Sequence, residues 1–203
     1  MDEKLKKRIE QRKKEGSLRQ LTQNEGYIDF FSNDYLGLAK QKLKVRDAQQ
    51  GASGSRLLSG NSRQAMECEE RLSSFFDSED AVVYNSGYDA NIGFISAVAR
   101  RGDFIFYDEY IHASIRDGIR LSFATAHSFK HNDLEDLRRQ LKHVSGTIYI
   151  IVESLYSMDG DMAPLNGIQS IAKEFGAYLF IDEAHASGVF GDFGRGIVHA
   201  KGI

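Results

Sequence analysis

From Ser62 onward the chain alternates short, almost wholly apolar runs with amphipathic segments, and that alternation limits the possible folds more than any other feature. Helices are expected over 62–76, 89–100, 111–120, 133–141 and Leu165–Phe175, the last closed by Gly176. Between them, 81–84, 104–107, 123–127, 147–152 and 177–181 read as strands. Two of these, TIYIIV and AYLFI, are apolar throughout rather than alternating, as strands buried on both faces are. The chain is therefore expected to be an α/β protein with a mainly parallel central sheet and helices on both faces. Ahead of this region, the first fifteen residues read as a charged amphipathic helix closed by Gly16, 27–31 (YIDFF) as a short strand and 33–37 (NDYLG) as a turn. The stretch GASGSRLLSGN, 51–61, is too rich in Gly and Ser for an element interior.

With 203 residues and 41% hydrophobic content the chain can bury a real core and is globular. Its net charge of −3 argues against nucleic acid or an anionic membrane surface as partner. The N-terminus has charges and no apolar run, so neither a signal peptide nor a membrane anchor is expected, and the location is expected to be cytoplasmic. The single cysteine, Cys68, rules out a disulfide framework and reads as an inert thiol in a charged helix.

In such sheets ligands bind beyond the carboxyl ends of the strands, so four loops matter. In the first, Asn85-Ser86-Gly87-Tyr88 leaves a strand and opens a helix, whose free N–H groups suit a phosphate; an ordinary β-α turn looks similar. The second carries His112, which near a helix start is more often a cap or core residue than a functional group. The third, ESLYSMDGD, is too polar for a simple turn and holds Ser157. The fourth is Asp182-Glu183-Ala184-His185. A carboxylate ending an apolar strand is costly unless something cationic meets it, and His185 follows three residues later.

Asp182–His185 spells DEAH, a motif also found in helicases, but that reading needs a GxxxxGK[ST] loop and the chain has no Gly-Lys pair. One carboxylate and one imidazole do not define a metal site, and no metal is expected. GDFGRG is not a dinucleotide fingerprint, and Arg101-Gly102-Asp103 reads as a turn before a strand. One ligand accounts for all four loops: pyridoxal 5'-phosphate. It has a phosphate for a helix N-terminus, a ring for stacking, a phenolic oxygen, and a pyridine nitrogen that a buried Asp keeps protonated.

FFSNDYLGLA, GASGSRLLSGN, YNSGYDAN, YDEYIHASIRDG, SFKHNDLEDL, ESLYSMDGDMAPL and IDEAHASGVFGDFGRG together resemble the α-oxoamine synthases, enzymes of pyridoxal-phosphate fold type I, the aspartate-aminotransferase-like fold. The likeness runs from about Arg19 to the end. It implies an acyltransferase in which Ser86, Gly87 and Tyr88 hold the phosphate, His112 stacks on the ring, and Ser157 and His185 lie by the phenolic oxygen. Asp182 would pair with the pyridine nitrogen, and Arg19 and Asn33 would meet substrate; His112, Asp182 and His185 would carry the chemistry.

The implied reaction condenses an amino acid, L-alanine favoured, with a pimeloyl thioester on coenzyme A or a carrier protein. Carbon dioxide is lost and 8-amino-7-oxononanoate is formed for biotin synthesis. The alternatives are a sibling condensation, such as those giving 2-amino-3-ketobutyrate, 5-aminolevulinate or a sphingoid base, or a chain that only dimerises. The resemblance also implies a homodimer, with residues 1–45 as an N-terminal helix and arm and 46–203 as the cofactor domain. It departs at Ser62–Met66, where many members carry a histidine. It departs more seriously in that the family's Schiff-base lysine follows a further strand. Lys201 lies too close behind Gly196 for that role, so the chain is expected to stop short of this lysine and to be inactive alone.

Overall fold

The computed structural model describes residues 2–21, 26, 28–30, 32–42 and 51–203. The chain falls into two compact units, residues 1–34 and 35–203. In the first, α1 (Glu3–Lys14) is capped by Asp2, whose carboxylate accepts the Lys4 N–H at 3.0 Å, and the chain leaves it through Gly16 at φ +66°. Arg19 and Asn33 both lie in this unit and are exposed. Of the short strand expected over 27–31, residues 28–30 form no strand, and Tyr27 and Phe31 lie outside the described residues.

The second unit holds α2 (Arg63–Phe76), α3 (Gly87–Val98), β1 (Phe104–Asp108), α4 (Ala113–Ser122), β2 (Thr125–Phe129), α5 (Leu134–Leu141), β3 (Ile148–Glu153), α6 (Leu165–Phe175), β4 (Tyr178–Asp182) and α7 (Gly196–Lys201). The four strands form one parallel sheet in the order β2-β1-β3-β4. Successive side chains of a strand point to opposite faces, so each inner strand feeds two cores. Ile105 and Ile151 turn to α3 and α4, meeting Ile95, Ile115 and Ile119. Phe106, Ile148, Ile150 and Val152 turn to α5 and α6, meeting Leu137, Leu141, Ile168 and Ile171. Helices therefore cover both faces, as a sheet of continuous apolar strands requires.

α3 and α4 lie close together because residue 118 is glycine. A Cβ there would stand 2.9 Å from the Asn91 carbonyl oxygen and 3.1 Å from the Ile95 Cβ. One expectation fails at the margin. Residues 81–84 make no strand: they lie outside the four-stranded ladder, Val82 and Tyr84 are exposed, and the Val83 N–H donates to Glu69 Oε1 at 2.8 Å instead. An extended segment counts as a strand only with a neighbour to bond. α2 fully buries none of its apolar residues: Met66 stays open to solvent, and Phe75 is partly covered by the Arg195 guanidinium 5.6 Å from its ring centroid. Cys68, on that helix, is free and exposed.

The strand order fixes where a ligand can enter. The chain steps from β1 outward to β2, then returns to the other side of β1 for β3 and β4. The helix that follows β1 packs on one face and the helix that follows β3 on the other. A crevice therefore opens at the carboxyl ends between β1 and β3.

Candidate active site

The ends of β1, β3 and β4 and the starts of α3 and α4 meet at this crevice. α3 starts at Ser86, whose Oγ accepts the Asp89 N–H at 3.0 Å. The N–H groups of Gly87 and Tyr88, one residue into a helix of twelve, have no hydrogen-bond partner among the described residues. A Cβ on Gly87 would meet nothing within 4 Å, so the approach to these donors is open. The Tyr88 hydroxyl donates to Asp117 Oδ2 on α4. That bond holds the Asp117 carboxyl below its usual range, with Arg120 helping, and raises the Tyr88 phenol. Tyr88 also meets the His112 ring edge-on, with centroids 6.1 Å apart.

His112 is indeed the N-cap of α4, accepting the Ser114 N–H on Nδ1 at 3.2 Å and bonding Ser114 Oγ at 2.7 Å. The cap does not exhaust the residue. It fixes the ring plane and leaves Nε2 without a partner among the described residues, while the ring stays exposed. The His112 backbone N–H donates to Glu153 Oε1 at the end of β3.

Asp182 ends β4. Its Oδ2 accepts from Asn91 Nδ2 at 2.8 Å and its Oδ1 from the Ala184 N–H at 2.9 Å. The same Asn91 nitrogen donates to Ser114 Oγ at 2.9 Å. One hydrogen-bonded path thus runs from His112 through Ser114 and Asn91 to Asp182, with Ser114 only 1% exposed and Asn91 8%. Among the described residues, neutral donors alone meet Asp182, which leaves its charge for a cationic ligand group. His185 binds the Tyr35 hydroxyl through Nδ1 at 2.7 Å. Ser157 is exposed, makes no hydrogen bond among the described residues, and lines a cavity of about 230 Å³ with Tyr110, Tyr156, Met158 and Asp159.

Four contributors escaped sequence reasoning. Asn91 and Ser114 are polar residues on otherwise buried helix faces, and Tyr35 sits in a loop far from its partner in sequence. Glu153 is the last residue of an apolar strand, and it is buried at 4% exposure. Burial pushes its carboxyl up to about 7; the His112 N–H works against this, and the Asp182 and Asp108 charges add to it.

A carboxyl raised on folding lends stability that is full below its unfolded value, 4.5, and is lost as pH rises through about 7. Glu153→Gln keeps an acceptor for His112 and removes this dependence. The variant is expected to gain on the parent by about 2–3 kcal/mol between pH 4.5 and pH 8. Paired urea titrations across that range decide it, and parallel pH curves would show that Glu153 does not titrate there.

The donor set suits pyridoxal phosphate: free helix N–H groups for the phosphate, an exposed imidazole face for the ring, and a carboxylate for a pyridinium. Comparison with known proteins gives the family. The family model for aminotransferase class I and II matches residues 25–201. The chain belongs to this family, among its α-oxoamine synthases. These are pyridoxal-phosphate enzymes of fold type I. The 8-amino-7-oxononanoate synthase of Lysinibacillus sphaericus is 43% identical over 87% of this chain and 48% of its own. The serine palmitoyltransferase of Caulobacter vibrioides is 41% identical over 85% of this chain and 45% of its own. Among solved structures, a serine palmitoyltransferase from S. paucimobilis with bound PLP-myriocin aldimine is 40% identical. It covers 75% of this chain and 39% of that one, with a TM-score of 0.72. The chain thus spans about half the length of the curated relatives it matches.

Proposed function

We propose that this chain supplies the phosphate-binding and ring-binding half of an α-oxoamine synthase that joins L-alanine to a pimeloyl thioester with loss of carbon dioxide. The observation that carries the reading is the path from His112 to Asp182, which holds an exposed imidazole and a carboxylate on one floor at the carboxyl ends of β1 and β4. When bound, pyridoxal phosphate supplies the electron sink that accepts charge from the amino acid's α-carbon.

The chain's residues do the rest. Gly87 and Tyr88 N–H groups bind the phosphate and Ser86 orients them. His112, its plane fixed by Ser114, covers the ring and shields it from water. Asp182 keeps a proton on the pyridine nitrogen, and His185, steadied by Tyr35, faces the phenolic side with Ser157. Arg19 and Asn33 are assigned to substrate, within an arm of residues 1–45 beside a cofactor domain of 46–203. A soluble cytoplasmic homodimer is part of this reading. No described helix is long and apolar enough to cross a membrane.

The inactivity proposed for this segment alone rests on the sequence, in which Lys201 follows Gly196 too closely to be the family's Schiff-base lysine. The relatives carry two names, 8-amino-7-oxononanoate synthase and serine palmitoyltransferase, so the test sets the substrates against each other. An enzyme carrying this segment and the C-terminal half of its relatives is supplied with alanine, glycine or serine and with pimeloyl or palmitoyl thioesters. Release of 8-amino-7-oxononanoate from alanine and a pimeloyl thioester is expected. Preference for serine with palmitoyl thioester would move the assignment to the sibling reaction. Turnover by the 203-residue chain alone would refute its inactivity.

A further inference from the structure

A second polar cluster lies beside the path from His112 to Asp182 and is not used by it. Asp108, the last residue of β1, is fully buried. Its Oδ1 accepts the Tyr110 N–H and faces His131 Nδ1, both at 2.8 Å, and its Oδ2 accepts the Asn132 N–H at 2.9 Å. His131 is the residue of the HND stretch after β2. Its other ring nitrogen, Nε2, meets Asp161 Oδ2 at 2.7 Å, and its backbone N–H donates to Glu109 Oε1 at 2.9 Å. Asn132 Nδ2 also donates to Asp161 Oδ2, at 2.8 Å. The Tyr110 ring stacks on the imidazole at 4.3 Å and the Tyr156 ring meets it edge-on at 4.6 Å.

The three loops so joined come from three strands. Asp108 and Tyr110 begin the loop that delivers His112, His131 and Asn132 follow β2, and Asp161 closes the loop that carries Tyr156 and Ser157. An imidazole with a carboxylate at each nitrogen is a rigid two-ended bridge, and the two aromatic rings leave it one orientation. Burial alone would lower its pKa, yet the hydrogen bonds to Asp108 and Asp161 and their charges outweigh it and raise the group. The groups facing it are Asp108 from β1, Glu109, Tyr110, Asn132, Asp161 and Tyr156. The only formal charges among them at neutral pH are negative.

We infer that His131 is a positioning residue: as a cation gripped by Asp108 and Asp161, it locks the His112 loop to the Ser157 loop and so sets the gap in which the cofactor ring lies. The part concerning the cofactor rests on the proposed function; the lock does not. It accounts for a buried carboxylate, a doubly bonded imidazole and two ring contacts at a point where no substrate group has been placed.

The test uses the 203-residue chain, with His131→Gln, which loses the charge and one donor, and Asp161→Asn, which loosens only the outer grip. Three measurements are made. Nitrogen-15 spectra of the parent should show the His131 ring doubly protonated at pH 7. Hydrogen exchange should quicken about tenfold in both 108–112 and 155–163 in each variant, while Leu165–Phe175 keeps its protection. Pyridoxal phosphate titrations, followed by absorbance, should weaken about tenfold in each variant. In the parent the same weakening should set in as pH rises past the His131 titration, since the cation is what is gripped.

A neutral imidazole at pH 7, or faster exchange confined to 130–133, overturns the lock. Unchanged cofactor affinity beside coupled loosening overturns its role in positioning. If His131→Gln fails to fold, Asp161→Asn carries the decision alone. A parent chain that binds no pyridoxal phosphate counts against the proposed function, while exchange still judges the lock.

Discussion

Asp182→Asn is expected to cut turnover by about 100-fold or more while leaving the fold and most of the cofactor affinity in place. Asparagine is nearly isosteric and its oxygen can still accept the Ala184 N–H, while its NH2 faces Asn91, whose amide must turn its own oxygen toward residue 182 to keep a bond there. What goes is the negative charge opposite the pyridine nitrogen. A neutral ring draws charge from the amino acid poorly, and that deficit is felt in the reacting state rather than in binding. The measurement pairs turnover of the complete enzyme with pyridoxal phosphate affinity of the 203-residue chain. If Asp182 served only to start the turn at Ala184, the variant would lose about 1 kcal/mol of stability and almost no rate. A near-parental rate with a lowered thermal midpoint would support that role against the one assigned here.

A larger effect on stability belongs to Asp108. Asp108→Ala removes a fully buried carboxylate and with it the partner of a gripped imidazolium and of the Tyr110 and Asn132 N–H groups. Breaking a buried charge pair from one side costs about 3–5 kcal/mol; the lower end is expected here, because Asp161 still meets the other His131 nitrogen. Against a domain stability of about 5–15 kcal/mol, the chain is expected to be partly unfolded at 37 °C. Chemical denaturation at pH 7 checks this. A loss below about 1 kcal/mol would mean that solvent reaches the site and that the carboxylate is not carrying those charges. The double variant Asp108→Ala with His131→Leu should lose less than Asp108→Ala alone, since the imidazolium left with a partner at only one nitrogen is gone.

The sequence carried the central architecture because its signals there are local and periodic. TIYIIV has one structural use, a strand buried on both sides, and Leu165–Phe175 with Gly176 states both its stripe and its end. The four loops followed, since their positions depend only on where strands stop. The margins were less legible. Residues 81–84 have the composition of a strand, but strand formation needs a neighbour, and no local pattern says whether one is present. His112 was ambiguous between cap and functional group, and the structure makes it a cap whose second nitrogen remains available. Asn91, Ser114, Tyr35 and His131 could not be placed in advance. Each acts through a partner far along the chain, and side-chain pairing at that range leaves no spacing to read.

The contact at Gly118 reaches further than packing. A methyl group there would press on the Asn91 carbonyl and on Ile95, and α3 would have to slide outward. α3 carries at one end the donors that await a phosphate and one turn later the amide that holds Asp182. Displacing it shifts both together. A map of tolerated substitutions would therefore mark position 118 as indispensable, like a residue that touches the substrate, although it carries no functional group. Intolerance in this protein measures leverage on the site as well as presence in it.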